Sequence, residues 1–247
     1  MISRAESVMG TVVSFLVDCP DWDPSKVHVA IDAACEELHR LDERFSAWQS
    51  ESELSKMRAG EVEATSPLMD EVLELCAEAY DASHGFFDAW AMPGGFDPTG
   101  LVKGWAAQRA VAVLADRGVE AALVNAGGDI CVLPSRRYLV GIRHPTQVDA
   151  LCGVVPISSA IATSGVYERG QHLLNPFGGE IAAISATVVG DRLVLCDAMA
   201  TALAVGGRDV LYLIEHTDSM EGFFITAEGA MFATSGMPFD NEGASPI

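Results

Sequence analysis

Helical patterns precede most of the strand patterns in this chain, and this order constrains the fold more than any other feature. A β-branched stretch at residues 9–18 predicts a first strand. Apolar residues then recur every three or four positions in helices that open at Asp23-Pro24 and at Ser66-Pro67, and a third helix is predicted over 101–117. Strand patterns dominate the remainder, apart from helices predicted at 197–205 and 209–216. Because helices and strands are segregated rather than alternating, the sequence predicts an α+β fold.

Composition excludes several kinds of partner. The 247 residues carry a formal net charge of −20, which disfavours sequence-independent binding to nucleic acids and to anionic membranes. Six cysteines occur without C-x-x-C spacing, so we expect reduced, buried thiols. The N-terminal residues show no signal-peptide pattern, and no apolar run reaches the roughly 18 residues of a spanning helix. These features predict a cytoplasmic protein.

Four short motifs follow one another in a fixed order, and each brings glycines, a hard-oxygen ligand, a cation or an imidazole to the end of a predicted element. They lie at residues 97–104, at 125–129, at 163–165 with His172 shortly after, and at 197–201. Backbone N–H groups at a glycine-rich helix start bind phosphate well, and hard oxygens suit Mg²⁺. The set as a whole predicts a site for a pyrophosphate and a divalent metal.

Each motif also has a purely structural interpretation. Asp197 and Thr201 share one helix face and could bind Mg²⁺, although Asp197 could equally be a helix-capping acid. Lys103 could reach a phosphate, or it could be a solvated lysine on an amphipathic helix. Residues 125–129 could let a backbone approach a ligand, or they could form a hairpin turn before a strand at Ile130. His172, in a polar stretch, could accept a proton from an attacking hydroxyl, or it could be a structural histidine.

Taken together, the motifs match a known family. The matching pieces are residues 9–11, 44–46, 52–55, 85–88, 97–104, 125–129, 162–165, 172–176 and 197–202. On these pieces the sequence resembles the FAD:protein FMN transferases, or ApbE-type flavin transferases, from Met9 to about Gly206. The resemblance implies one α+β domain of ApbE-type, T-fold-like architecture over residues 1–236, with N-terminal helices on a mainly antiparallel sheet. Residues 237–247 are then expected to form a flexible tail.

The resemblance also implies an activity. Family members cleave FAD in a Mg²⁺-dependent reaction and transfer FMN through a phosphoester bond to a threonine or serine of an acceptor flavoprotein, releasing AMP. Carried over by position, the metal ligands are Asp197, Thr201 and backbone oxygens of Gly100 and Ala200, and His172 is the base on the acceptor hydroxyl. The carried-over FAD contacts are Met9, Trp48, Phe86, Phe87, Asp88, Asp97, Lys103 and Leu174.

Two other functions stay open at this point. Water could replace the acceptor hydroxyl, which would make the protein an FAD pyrophosphatase that releases FMN and AMP. Alternatively, the pocket could bind FAD without turnover. The chain departs from the family pattern at Trp48, where a tyrosine-like residue is usual, at Arg58 in place of asparagine, at Gln108 in place of aspartate, and at Ala200, where a carboxylate sometimes occurs.

Overall fold

The computed structural model describes residues 1–147, 149–165 and 173–240. His172, the predicted base, lies outside the described residues. The elements are, in chain order, β1 (Ile2–Val8), β2 (Thr11–Val17), α1 (Pro24–Phe45), α2 (Glu53–Arg58), α3 (Pro67–Ala82), α4 (Thr99–Asp116), β3 (Ala122–Ala126), β4 (Asp129–Val132), β5 (Tyr138–Arg143), β6 (Leu151–Ile157), β7 (Ala160–Gly165), β8 (Ser185–Gly190), α5 (Leu193–Gly206), α6 (Arg208–Glu215), β9 (Met220–Ile225) and β10 (Met231–Ala233).

An antiparallel sheet of eight strands forms the centre of the molecule, in the order β1-β2-β3-β4-β7-β8-β9-β10. Its neighbouring strands are all antiparallel, and β5 and β6 pair separately as a two-stranded sheet. The sheet is covered on both faces, because successive residues of one strand belong to different cores. In β9, Phe224 joins the helical core, whereas Phe223 and Ile225 pack with residues of β5 and β6. This architecture confirms the predicted α+β class.

Two helices pack directly on the central strands and position the site. Helix α5 contacts β7 and β8, α4 contacts β3 and β4, and the two helices also pack against each other. Nearly every residue of α5 is buried, which explains its apolar character on all sides. The helices cross at Gly104, where a Cβ atom would lie 2.8 Å from the Cβ of Asp197. Glycine at this position therefore permits the close approach.

The N-terminal strand prediction was only partly right. Residues 9–18 are not one strand, because Met9 and Gly10 form a tight turn with φ of 55° and 67° between β1 and β2. Strand β1 gave no apolar alternation because its inward side carries Arg4 and Glu6. These two residues bond to Asp32 and His39 of α1, respectively, so polar pairs replace apolar packing there.

The predicted helix starts are correct where the sequence carries a capping residue. Asp23 caps α1 by accepting the N–H of Ser25 at 2.8 Å, and Ser66 caps α3 by accepting the N–H of Met69 at 3.2 Å, as their sequences predict. The start predicted for α5 was wrong, because the helix begins at Leu193 rather than at Asp197. The interpretation of Asp197 as a helix-capping acid is therefore also wrong. Helix α2 was not predicted.

Several remaining expectations concern the surface and the termini. All six cysteines are unpaired, and burial raises the pKa of Cys131 to about 12. Within the described ranges, no helix combines the length and the apolarity that crossing a bilayer requires.

Past the proposed domain end at 236, Phe239 packs edge-on against Phe223, and the N–H of Asp240 donates to the carbonyl of Val154 at 2.7 Å. Residues 241–247 lie outside the described part, and the domain boundary stays a prediction.

Candidate active site

A cavity of about 480 Å³ brings most of the predicted site residues together. Its walls come from the segment after α1, the loop before α4, the first turns of α4, the end of β7 and the middle of α5. The predicted residues that line it are Trp48, Phe86, Phe87, Asp88, Asp97, Gly100, Lys103, Leu174, Asp197 and Thr201. Met9 and Ala200 are not among the lining residues. The N–H of Met9 donates to Asp42 at 3.0 Å, and Ala200 is fully buried in α5.

Aromatic side chains form one side of the cavity. Phe87 is buried and packs against Gly100, where a Cβ atom would meet its ring at 3.3 Å. Phe86 is held edge-on by Phe177, with ring centroids 5.0 Å apart. Trp48, by contrast, is 95% exposed. A large aromatic surface left in water at a cavity mouth is suited to stacking on a planar ligand.

Oxygen donors from three elements meet beside α5. One carboxylate oxygen of Asp197, which is 3% exposed, accepts the N–H of Gly104 at 2.8 Å. In an α-helix that N–H points towards the carbonyl of Gly100, so the carboxylate and this carbonyl lie in one neighbourhood. The hydroxyls of Thr201 and Ser164 share a hydrogen bond of 3.0 Å. A Cβ atom on Gly100 would lie 3.5 Å from the Thr201 hydroxyl.

This donor set fits a hard divalent cation. Among the residues that the structure describes, no three His, Cys, Asp or Glu side chains form a metal-binding group. A cation here would therefore rely on one carboxylate, hydroxyls and a backbone carbonyl. Mg²⁺ suits such a site, because it uses few protein carboxylates and completes its coordination with water and phosphate oxygens.

Lys103 lines the cavity and forms an ion pair with Asp129. The ammonium lies 2.5 Å from a carboxylate oxygen of Asp129, and the two side chains are 14% and 0% exposed. The interpretation of Lys103 as a solvated surface lysine is therefore wrong. The other oxygen of Asp129 accepts the N–H of Thr163 at 3.2 Å. Asp129 thus joins two cavity-lining residues, one on α4 and one on β7, without lining the cavity itself.

The motif at residues 125–129 has a structural role as well as this link to the site. It turns β3 into β4, with the side chain of Asn125 accepting the N–H of Gly128 at 2.8 Å. The hairpin interpretation is therefore confirmed. The same turn starts β4 at Asp129, which places that carboxylate beneath Lys103.

Two further carboxylates shape the loop that precedes α4. Asp88 accepts the N–H groups of Trp90 and Ala91 at 2.8 and 3.1 Å. Asp97 accepts the N–H of Thr99 at 3.0 Å through one oxygen and the guanidinium of Arg58 at 3.2 Å through the other. Both residues line the cavity, and their contacts with a ligand stay a prediction.

Several residues that contact the site or its supporting elements were given no role from the sequence. Ser164 was visible only as part of the motif at 163–165, and nothing local indicates its bond to Thr201. Arg58 and Gln108 were noted as departures from the family pattern, without a role. The side-chain oxygen of Gln108 accepts the N–H of Val194 at 3.4 Å in the first turn of α5, a helix that has no side-chain cap of its own.

Known proteins match this chain in sequence and in fold. A family model described as the ApbE family matches residues 9–95 and 91–224. The FAD:protein FMN transferase of Rhodobacter capsulatus is 34% identical over 151 residues, which cover 55% of this chain and 29% of that protein. The match thus spans less than a third of that relative's length.

Solved structures share the fold. The ApbE protein of Thermotoga maritima superposes with a TM-score of 0.82 at 20% identity, covering 95% of this chain and 97% of that one. The flavin transferase ApbE of Vibrio cholerae gives 0.77 at 19% identity, covering 96% and 97%. The family match extends over most of the chain and includes the residues that build the cavity from Trp48 to Thr201. The chain therefore belongs to the ApbE family.

Proposed function

We propose that this protein is a Mg²⁺-dependent flavin transferase that attaches FMN from FAD to a threonine or serine of an acceptor flavoprotein and releases AMP. One observation carries the proposal. A single cavity presents an exposed aromatic ring at Trp48, an ammonium at Lys103, and the oxygen cluster of Asp197, Thr201 and Ser164. These groups correspond to the ring, the pyrophosphate and the metal of such a reaction. The relative from Rhodobacter capsulatus is named an FAD:protein FMN transferase, which supports FMN transfer from FAD to a protein.

The residues of the chain would divide the work as follows. Trp48, Phe86 and Phe87 bind the planar part of FAD, and Lys103 attracts the pyrophosphate. Asp197, Thr201 and the carbonyl of Gly100 hold the cation. When bound, Mg²⁺ neutralises charge on the pyrophosphate during phosphoryl transfer. A local cation would also explain how a protein with a net charge of −20 accepts a dianionic ligand.

The proposed transfer has a simple balance of bonds. The acceptor hydroxyl oxygen attacks the FMN phosphorus, the bond from that phosphorus to the bridging oxygen breaks, and AMP leaves with that oxygen. The hydroxyl proton passes to a base, for which His172 remains the predicted residue. The Thr/Ser motif of the acceptor and the cytoplasmic location of the protein stay predictions.

The test is an incubation with FAD, Mg²⁺ and an acceptor peptide of the form Asp-Gly-x-Thr/Ser-Gly-Ala, read by intact mass and AMP release. A peptide mass gain equal to an FMN phosphoester supports the transferase. AMP without peptide modification would instead indicate the pyrophosphatase. FAD that stays bound without any AMP release would indicate a binding protein and overturn the catalytic roles.

A further inference from the structure

Arg58 ends α2 outside the cavity, yet its guanidinium holds the cavity-lining loop through three groups. Its Nη2 donates to the carbonyl of Pro93 at 2.9 Å and its Nε to the carbonyl of Gly94 at 3.3 Å. Its Nη1 donates to the carboxylate of Asp97 at 3.2 Å. Pro93 and Asp97 line the cavity, whereas Arg58 does not. One planar, pre-organised fork of donors thus spans both ends of a short loop.

The loop backbone is matched to this guanidinium. Gly94 has a φ of 85°, in the region that favours glycine. A Cβ atom at Gly94 would lie 2.7 Å from Nη2 of Arg58, closer than non-bonded atoms approach. The neighbouring Gly95 has a φ of 96°, but a Cβ atom there would meet nothing within 4 Å. Glycine at position 94 therefore permits the backbone turn and leaves room for the guanidinium of Arg58.

The guanidinium also changes the charge of the cavity wall. Asp97 is a carboxylate that lines a cavity for which we propose a pyrophosphate ligand. Two negative charges in one cavity repel each other. The ion pair of Asp97 with Arg58 is partly buried, with side chains 16% and 23% exposed. Solvent therefore screens this pair less than a fully exposed pair.

We propose that Arg58 is a positioning residue for FAD. It fixes the loop at residues 93–97 in its ligand-ready conformation and offsets the charge of Asp97, so that FAD binds to a preformed wall. This inference rests on the proposed function, because it takes FAD as the ligand. It assigns Arg58 no contact with the reacting atoms.

The test compares R58Q and R58K with the matched control K56Q. Lys56 lies on the same helix, but it pairs at 3.0 Å with Glu51, whose side chain is 84% exposed. For R58Q we expect faster amide hydrogen exchange across residues 92–99 in the ligand-free protein. We also expect a Kd for FAD raised about tenfold, the scale of losing hydrogen bonds to a charged group. R58K should fall between R58Q and the parent, because an ammonium keeps the charge but not the fork.

A split between binding and turnover separates positioning from general destabilisation. In R58Q we expect KM for FAD to rise about as much as Kd, with kcat at saturating FAD within about twofold, since losing uniform binding raises KM alone. K56Q should leave exchange and binding unchanged. In G94A the added Cβ would displace the guanidinium of Arg58. This variant should therefore show the same faster exchange and the same rise in Kd and KM for FAD as R58Q.

The outcomes distinguish the two proposals. If the parent protein binds no FAD, the proposed function fails, and the exchange experiment still decides whether Arg58 holds the loop. If the parent binds FAD and R58Q binds equally well with unchanged exchange, the inference about Arg58 is refuted while the proposed function stands. Should R58Q fail to fold, R58K carries the same comparison.

Discussion

Replacing Asp129 by asparagine tests how much the buried ion pair between Lys103 and Asp129 contributes to the stability of the protein. Asp129 is fully buried, and its partner Lys103 is 14% exposed at an N–O distance of 2.5 Å. Asparagine keeps a side-chain oxygen that can accept the N–H of Thr163, so the substitution removes the charge and little else. It removes the Asp129 charge from beside a largely buried ammonium. Breaking a buried pair in this way typically costs about 3–5 kcal/mol.

We expect D129N to lower the free energy of unfolding by about 3 kcal/mol, the lower end of that range, because the small exposure of Lys103 lets water offset part of the loss. The assay is urea denaturation at neutral pH, with the m-value compared between variants to confirm that unfolding exposes the same surface. The double variant K103M/D129N should be less destabilised than the sum of the single variants. Removing the ammonium as well removes the penalty that the loss of the Asp129 charge imposes on it.

An exposed ion pair supplies the control. Arg192 and Glu78 meet at 2.6 Å with side chains 45% and 44% exposed. E78Q should therefore change the free energy of unfolding by at most about 1 kcal/mol. If D129N costs no more than E78Q, or if the effects of K103M and D129N simply add, the reasoning from burial is refuted.

Four further predictions concern the site and the core. Asp197→Asn, which can still accept the N–H of Gly104, should slow Mg²⁺-dependent turnover by about 100-fold or more and leave metal-free FAD binding nearly unchanged; unchanged turnover at saturating Mg²⁺ would reject the metal assignment. Ser164→Ala should weaken Mg²⁺ activation about tenfold by releasing the Thr201 hydroxyl, without altering Tm by more than a few degrees; an identical Mg²⁺ titration would count against it. Trp48→Ala should raise the Kd for FAD with no loss of Tm, because the ring is 95% exposed; calorimetric titration showing equal affinity would exclude stacking. Cys131, whose pKa burial raises to about 12, stays protonated and should resist thiol reagents at pH 8 until the protein is unfolded; rapid labelling of the native protein would contradict its burial.

Capping residues, prolines and apolar periodicity predicted the helices whose sequences contain them. Helix α1 shows its cap at Asp23, its proline at the first turn and its apolar face in one continuous stretch, so both its existence and its end at Phe45 could be read from the sequence. Helix α5 is apolar on every side, which leaves no periodicity to locate its first residue. Strand β1 turns Arg4 and Glu6 inward, and its partners on α1 are distant in sequence. Such pairs become visible only in three dimensions.

The candidate site divides in the same way. The motifs and the family resemblance predicted many of the residues that line the cavity, although Met9 and Ala200 lie outside its lining. They did not predict what holds those residues in place. Arg58 and Asp97 are 39 positions apart in sequence, and Ser164 and Thr201 are 37 apart, so no local pattern relates them. Side chains that support a site interact across elements, and only the packing of those elements brings them together.

Gly104 shows how a motif can have a different cause from the one its pattern indicates. In the sequence, Gly104 belongs to the motif at residues 97–104, whose glycine-rich helix start indicates phosphate binding. In the structure its lack of a Cβ instead lets α4 and α5 cross so closely that its N–H donates to Asp197. A Cβ there would push the helices apart and move Lys103 and Asp197 away from each other. The glycine thus serves the proposed chemistry indirectly, by fixing the distance between α4, which carries Lys103 and Gly100, and α5, which carries Asp197 and Thr201.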